Sequence, residues 1–163
     1  MNRIWSPWRM EYIQGEKPEG CIFCDKPQEQ GDLENLILYR GTHCYVMLNR
    51  YPYNNGHLMV IPYQHVDTPR HLPPEALAEM MALVNTSLEV LEETMHPDGY
   101  NVGMNLGASA GAGIKDHVHM HVVPRWAGDT SFMPVIGETR VIVESLRACY
   151  DKLKPCFDCH LHR

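Results

Sequence analysis

What these 163 residues lack first is a long apolar run. A helix needs about 20 consecutive apolar residues to span a bilayer, so no transmembrane segment and no membrane partner are expected. Met1 to Met10 carries tryptophan and arginine where a signal peptide would carry an apolar core. The expected location is therefore the cytoplasm. Positive charge is also short, with 14 Lys and Arg against 20 Asp and Glu and a net charge of −6. That balance argues against a broad nucleic-acid surface. It leaves small phosphorylated molecules open, because a few local donors can hold a small anion. Repeats and low-complexity linkers are absent, and a single domain over 1–163 is expected. Six cysteines in a reducing compartment read as metal ligands or buried thiols before disulfides.

Residues 1–32 are broken up by Pro7, Gly15, Pro18, Gly20, Pro27 and Gly31. Leu36–Tyr39 and Tyr45–Leu48 read as two short strands around a turn at Gly41-Thr42-His43. Asn49 to Gly56 is a loop, and His57–Ile61 is a third strand closed by Pro62. Pro73-Pro74 opens a long helix, in which Leu77, Met80, Met81, Val84, Leu88, Leu91 and Met95 recur in steps of three and four. Pro97-Asp98-Gly99 stops it. Tyr100–Leu106 reads as a strand, and a small-residue loop follows at Gly107–Gly113. His117–Val123 is the next strand, stopped by Pro124, and Glu144–Lys154 is a C-terminal helix. The early connections are too short for parallel crossovers, so the class is α+β with an antiparallel sheet. Met59, Met80, Met81 and Met104 are assigned to the core, with Cys44 and Cys149 as small core residues.

His117-Val-His119-Met-His121-Val-Val alternates strictly. In a strand, alternate side chains share a face about 6.5–7 Å apart, so three imidazoles project together and Val118, Met120 and Val122 face inward. A helix would turn His119 away from its two neighbours. A solvated face of satisfied histidines is the plain alternative. Three imidazoles beside a glycine-rich loop point instead to a site.

The segment resembles the signature of the histidine triad (HIT) family. Leu48-Asn49-Arg50, Gly56-His57-Leu58-Met59-Val60-Ile61-Pro62 and Asn105-Leu106-Gly107 agree with it, and the resemblance covers roughly residues 20–126. Residues 1–19 are then an N-terminal arm and 127–163 a C-terminal extension. Asn105 to Asp129, with Trp5-Ser6-Pro7-Trp8-Arg9, looks like the bacterial diadenosine-tetraphosphate phosphorylase-like branch. The resemblance implies a five-stranded antiparallel sheet with one long helix, and a homodimer. It implies a nucleotidyl-transferring hydrolase or phosphorylase acting at the α-phosphate of dinucleoside polyphosphates or related adenine nucleotides. His119 takes the position of the nucleophile, which forms a covalent nucleotidyl-histidine; His121 and His57 take those that stabilise charge. Asn49 matches a ribose-contacting position and Asn105 a polar position near the phosphates. Gly107, Ser109, Gly111 and Gly113 let backbone N–H groups approach a phosphate. Many members carry Ser or Thr just before the first triad histidine; Ile114, Lys115 and Asp116 stand here instead, with Ser109 or Lys115 as substitutes. Trp126 is a candidate to stack on a base or cover a dimer edge.

Cys21-Ile-Phe-Cys24 has metal-ligand spacing. The resemblance implies a structural zinc on Cys21, Cys24, His65 and His117; a reduced thiol pair is the alternative. Cys156-Phe-Asp-Cys159-His160 has the spacing of c-type haem attachment, which requires export. Those residues with His162 could hold a second metal, could join Cys21 and Cys24, or could form an exposed tail. Three further readings stand beside the main one: a nucleoside phosphoramidase, a metalloenzyme using His117, His119 and His121 as metal ligands, and a nucleotide-binding or scaffold protein without chemistry. The sequence shows no H-x-H-x-D-H to support the metalloenzyme.

Overall fold

Alternation in the strands builds two layers around one sheet. The computed structural model describes residues 20–129 and 142–161. The arm at 1–19 and His162 lie outside these residues. Strands β1 (Ile37–Arg40), β2 (Cys44–Leu48), β3 (Leu58–Pro62), β4 (Gly99–Gly103) and β5 (Met120–Arg125) form an antiparallel sheet in the order β1-β2-β3-β5-β4. Every residue of β2 and β3 is buried, because both faces are covered. Cys44, Val46, Leu48, Leu58, Val60, Val118 and Val122 enter the main core on one face. Tyr45, Met47, Met59 and Ile61 pack with Phe23 and Ile37 on the other.

Three helices complete the described fold: α1 (Ile22–Asp25), α2 (Pro74–Met95) and α3 (Leu146–Leu161). Helix α2 lies on the main-core face against β2, β3 and β5, and α3 packs against α2 and β1. Helix α1 covers the opposite face through Phe23. The buried stripe of α2 is Ala76, Met80, Leu83, Val84, Ser87, Val90 and Leu91. It is rotated from the expected one, and Met81, assigned to the core, is 49% exposed. One residue from Met80 is about 100° around the helix, and the sheet sits under Met80. The helix ends at His96, which adopts φ 47°, ψ 56° and donates its N–H to Glu92 O.

Several element limits differ from expectation, β4 ending at Gly103 and not at Leu106 among them, and three of the differences have identifiable reasons. β5 begins at Met120, since its ladder to β3 starts at the Val60–Met120 pair. Residues 117–119 lie outside the ladder, and there Val118 N donates to Val66 O at 2.7 Å. Pro124 lies inside β5. Its carbonyl accepts from Asn54 Nδ2 at 3.0 Å, so its nitrogen faces the side where β3 has ended and no ladder bond is lost. Helix α3 runs past Lys154 through Pro155, which removes one helix donor. Buried Leu153 and Phe157 hold it to the core on either side, and Tyr150 Oη donates to Ile37 O at 3.0 Å.

One side chain joins the layers at the β1–β2 turn. From α2, the Glu79 carboxylate accepts from the N–H groups of Thr42 at 2.7 Å, Cys44 at 3.2 Å, and His43. Gly41 makes room for it: a Cβ there would meet this carboxylate and the Cys44 carbonyl. Removing the acceptor leaves amides unpaired at a cost of about 1–3 kcal/mol. Glu79→Ala is therefore expected to lower unfolding free energy by about that amount in urea titration. An unchanged midpoint would show that the turn does not depend on the helix.

Candidate active site

His57 immediately precedes β3 and is fully buried, on the face of Met59 and Ile61. Met59 pairs with His121 across the ladder, which brings the two imidazoles together. The Tyr53 N–H donates to His57 Nδ1 at 3.0 Å, and Asn49 Nδ2 approaches the same nitrogen at 3.3 Å. A ring nitrogen that accepts carries no proton, so neutral His57 is protonated at Nε2. That Nε2 donates to His121 Nδ1 at 2.9 Å, which leaves the His121 proton on Nε2. This last Nε2 is buried and has no hydrogen-bond partner among the described residues. Such a donor costs about 1–3 kcal/mol and marks where a ligand oxygen belongs. The Tyr53 ring covers both imidazoles at centroid distances of 4.6 and 5.6 Å. Burial, then the neighbouring imidazoles, pushes His57 down to about 3 and His121 down to about 4. Both are neutral at pH 7.

His119 lies beside this pair, its ring centroid 4.7 Å from that of His121 and 4.9 Å from that of Phe23. Its Nδ1 is 2.9 Å from the His117 carbonyl. A carbonyl only accepts, so Nδ1 holds the proton and Nε2 holds a lone pair. No described hydrogen bond uses that Nε2. Burial lowers the His119 pKa, and a neutral imidazole at pH 7 is nucleophilic. The site thus sets a bare ring nitrogen next to an unpaired N–H donor. The first can attack an electrophilic phosphorus, and the second can accept charge building on its oxygen.

His117 serves a different cluster. Its Nε2 donates to Pro62 O at 2.8 Å, so the Nδ1 lone pair faces Cys21 Sγ at 3.3 Å and Cys24 Sγ at 3.5 Å. Cys24 Sγ is 3.3 Å from His65 Nδ1. All four ligand atoms lie within 4.8 Å of one another. A tetrahedral ion with nitrogen near 2.1 Å and sulfur near 2.3 Å would separate neighbouring donors by roughly 3.4–3.8 Å. Two thiols and two imidazoles, one with its tautomer already set by a carbonyl, fit such an ion. Among the described residues no metal-capable group contains His119 or His121. The three alternating imidazoles do not converge on one point.

The loop before the triad is exposed, and Gly107 and Gly111 adopt φ 83° and 84°. A Cβ at either meets nothing within 4 Å, so glycine is needed there for backbone conformation and not for space. The amides of Ala110 and Ala112 return to Gly107 O, and that of Gly111 to Ala108 O. Ser109, Gly113 and Lys115 are exposed, and Asn105 is half-buried. Gly107 and Lys115 share an open cavity of about 340 Å³ with Asp67, Thr68, Pro69, Arg70 and Leu106; none of the imidazoles lines it. Trp126 is anchored at the end of α2, where its indole N–H donates to Met95 O at 3.3 Å. Sequence reasoning missed Tyr53 and Phe23. Phe23 could have been suspected from its place inside Cys21-Ile-Phe-Cys24, but a backbone amide such as that of Tyr53 leaves no trace in sequence.

Comparison with known proteins adds a family to this geometry. Residues 30–128 match the HIT domain. The chain is 41% identical over 157 residues to a Mycobacterium tuberculosis protein named AP-4-A phosphorylase, covering 90% of this chain and 80% of that one. It is 31% identical over 116 residues to an Arabidopsis thaliana protein named adenylylsulfatase HINT3, covering 68% of this chain and 57% of that one. A solved zinc-bound histidine triad family protein from Mycobacterium smegmatis aligns with a TM-score of 0.69 at 25% identity, over 86% of this chain and 95% of that one. The chain belongs to the HIT family, and its five-stranded sheet with a long helix and a C-terminal helix is that family's fold.

The buried imidazoles have a consequence for stability. Below about pH 6.5 the unfolded chain protonates its histidines, while folded His57 and His121 stay neutral until far lower pH. The unfolded state then binds more protons, so stability is complete above about pH 6.5 and declines as pH falls toward the folded values. Urea midpoints measured near pH 7.5 and near pH 5 should differ more in wild type than in the His57→Gln, His121→Gln double variant. Equal pH sensitivity in the two proteins would refute this origin.

Proposed function

We propose that this chain is a nucleotidyl-transferring enzyme acting at the α-phosphate of dinucleoside polyphosphates or related adenine nucleotides. The observation that carries the reading is the bare Nε2 of His119 beside the unpaired Nε2–H of His121. The His119 lone pair attacks the α-phosphorus in line. A P–N bond forms as the P–O bond to the polyphosphate breaks, and the electron pair leaves on that oxygen. The resulting nucleotidyl-imidazole is cationic and keeps its Nδ1–H on the His117 carbonyl. His121 donates to a non-bridging oxygen as charge develops there, and His57 fixes which nitrogen does so. An acceptor oxygen then attacks phosphorus, the P–N bond breaks, and the pair returns to Nε2. Phosphate as acceptor yields a nucleoside diphosphate; water yields a monophosphate and releases a proton. Similarity to a protein named AP-4-A phosphorylase favours phosphate. Nucleotide contacts are assigned to Asn49, Asn105 and the Gly107–Gly113 loop, with Lys115 on the polyphosphate side.

The ion assigned to Cys21, Cys24, His65 and His117 is zinc, in a closed four-ligand structural site. The donor set and the zinc-bound relative support this. When bound, it ties α1 to the residues that lead into β5 and takes no part in group transfer. The reading includes a homodimer paired across the long helix α2, as the resemblance implies. A reducing cytoplasm suits six free thiols.

His119→Ala is expected to abolish turnover while AMP binding largely survives. His121→Ala should lose about 10²–10³ in kcat. Brief mixing with diadenosine tetraphosphate should give an adenylyl adduct in the intact mass of wild type and none in His119→Ala. Normal turnover by His119→Ala would overturn the mechanism, and turnover without added phosphate would identify water as acceptor. Chelation of the ion should lower the thermal midpoint yet spare turnover wherever the fold persists. Loss of turnover by a still-folded chain would favour the metalloenzyme reading instead.

A further inference from the structure

The Cys156–His160 stretch has no part in the nucleotide site, yet α3 carries it onto α2. Cys156 and His160 are four residues apart and share one helical face, as do Glu89 and Glu93 on α2. The two faces meet. Cys156 Sγ donates to Glu93 Oε2 at 3.1 Å, and His160 Nε2 donates to Glu93 Oε1 at 3.0 Å. His160 Nδ1 lies 3.5 Å from Glu89 Oε2. The ligand atoms of Glu93, Cys156 and His160 are all within 4.8 Å of one another. Cys156 and His160 are half-buried while the carboxylates reach solvent, so the cluster is anchored and open to an incoming ion.

We propose that Glu93, Cys156 and His160 form a second metal site, separate from the Cys21 cluster, which takes a zinc-class divalent transition ion and clamps α3 to α2. Facing helices are a usual setting for such sites. Sulfur with imidazole nitrogen selects transition ions over magnesium or calcium. On binding, the Cys156 thiol releases its proton to solvent and the thiolate forms the bond to the ion. Three protein ligands leave a fourth position for water, and Glu89 is placed to orient the imidazole through its second nitrogen. An ion pair between His160 and Glu93 would account for the imidazole and the carboxylate alone. It gives no reason for a thiol to turn to the same carboxylate.

The test is cobalt(II) titration of the metal-stripped full chain, read by thiolate-to-cobalt absorption and by metal counted per chain. Cys156→Ser with His160→Gln is expected to bind one equivalent fewer than wild type, and Glu93→Gln to bind the second equivalent at least tenfold more weakly. The difference of one holds whether or not the Cys21 cluster also binds, so failure of that assignment is read separately. Turnover should be unchanged in both variants, because neither touches the imidazole relay. Equal stoichiometry and equal affinity in wild type and both variants would overturn the proposal.

Discussion

The Tyr53 amide donates to Nδ1 of His57, and two further proton positions follow from that bond. An imidazole nitrogen cannot accept and hold a proton at once. His57 must therefore donate to His121, and the remaining N–H of His121 must sit on its buried Nε2, which has no partner among the described residues. The fold guarantees the first step. Gly56, at φ 74°, sits where a Cβ would meet Met95 Sδ at 2.7 Å and Leu91 at 3.2 Å. Helix α2 thus presses directly on the loop that aims the Tyr53 amide.

His117 links the remaining parts. Its side chain belongs to the thiol cluster, while its carbonyl accepts a hydrogen bond from the Nδ1–H of His119. Phe23, between the two cysteines, packs on both rings at 5.6 and 4.9 Å, and its carbonyl accepts from buried Tyr45 at 2.8 Å. The cysteine turn therefore does more than decorate the N-terminal side. It fixes His117, whose main chain fixes the tautomer of His119. This explains how one residue of the thiol cluster, His117, and the two imidazoles of His119 and His121 can alternate on one short segment without competing.

Period-two patterning made this face legible in the sequence. Val118 and Val122 enter the core, and the histidines take the opposite side, as strand alternation requires. The long helix was legible too, from Pro74 to Met95. What was hidden depended on partners. β5 starts where β3 offers a residue to pair, which no local propensity encodes. Pro155 reads as a terminator, yet Leu153 and Phe157 bury enough surface around it to keep α3 continuous. Met81 fits an apolar stripe equally well on paper, but the sheet lies beneath Met80. His96 closes α2 in a left-handed conformation that usually favours glycine, so its role as a cap had no sequence signal.

The charge distribution fits the proposed chemistry better than a cationic triad would. A protonated imidazole cannot attack phosphorus, so a nucleophile at pH 7 benefits from burial that keeps it neutral. Burial does that here for His119, and for the two imidazoles that position a donor beside it. Neutral donors stabilise a developing oxyanion, but they attract a polyphosphate weakly from solution. Cationic side chains must then act away from the attacking nitrogen, where they cannot hold the proton balance of the triad. Arg70 and Lys115 meet that condition: they line the open cavity at Gly107, and no imidazole lies along it. On the proposed reading the substrate's reacting phosphorus meets uncharged nitrogen, while its remaining charge runs past the two cations.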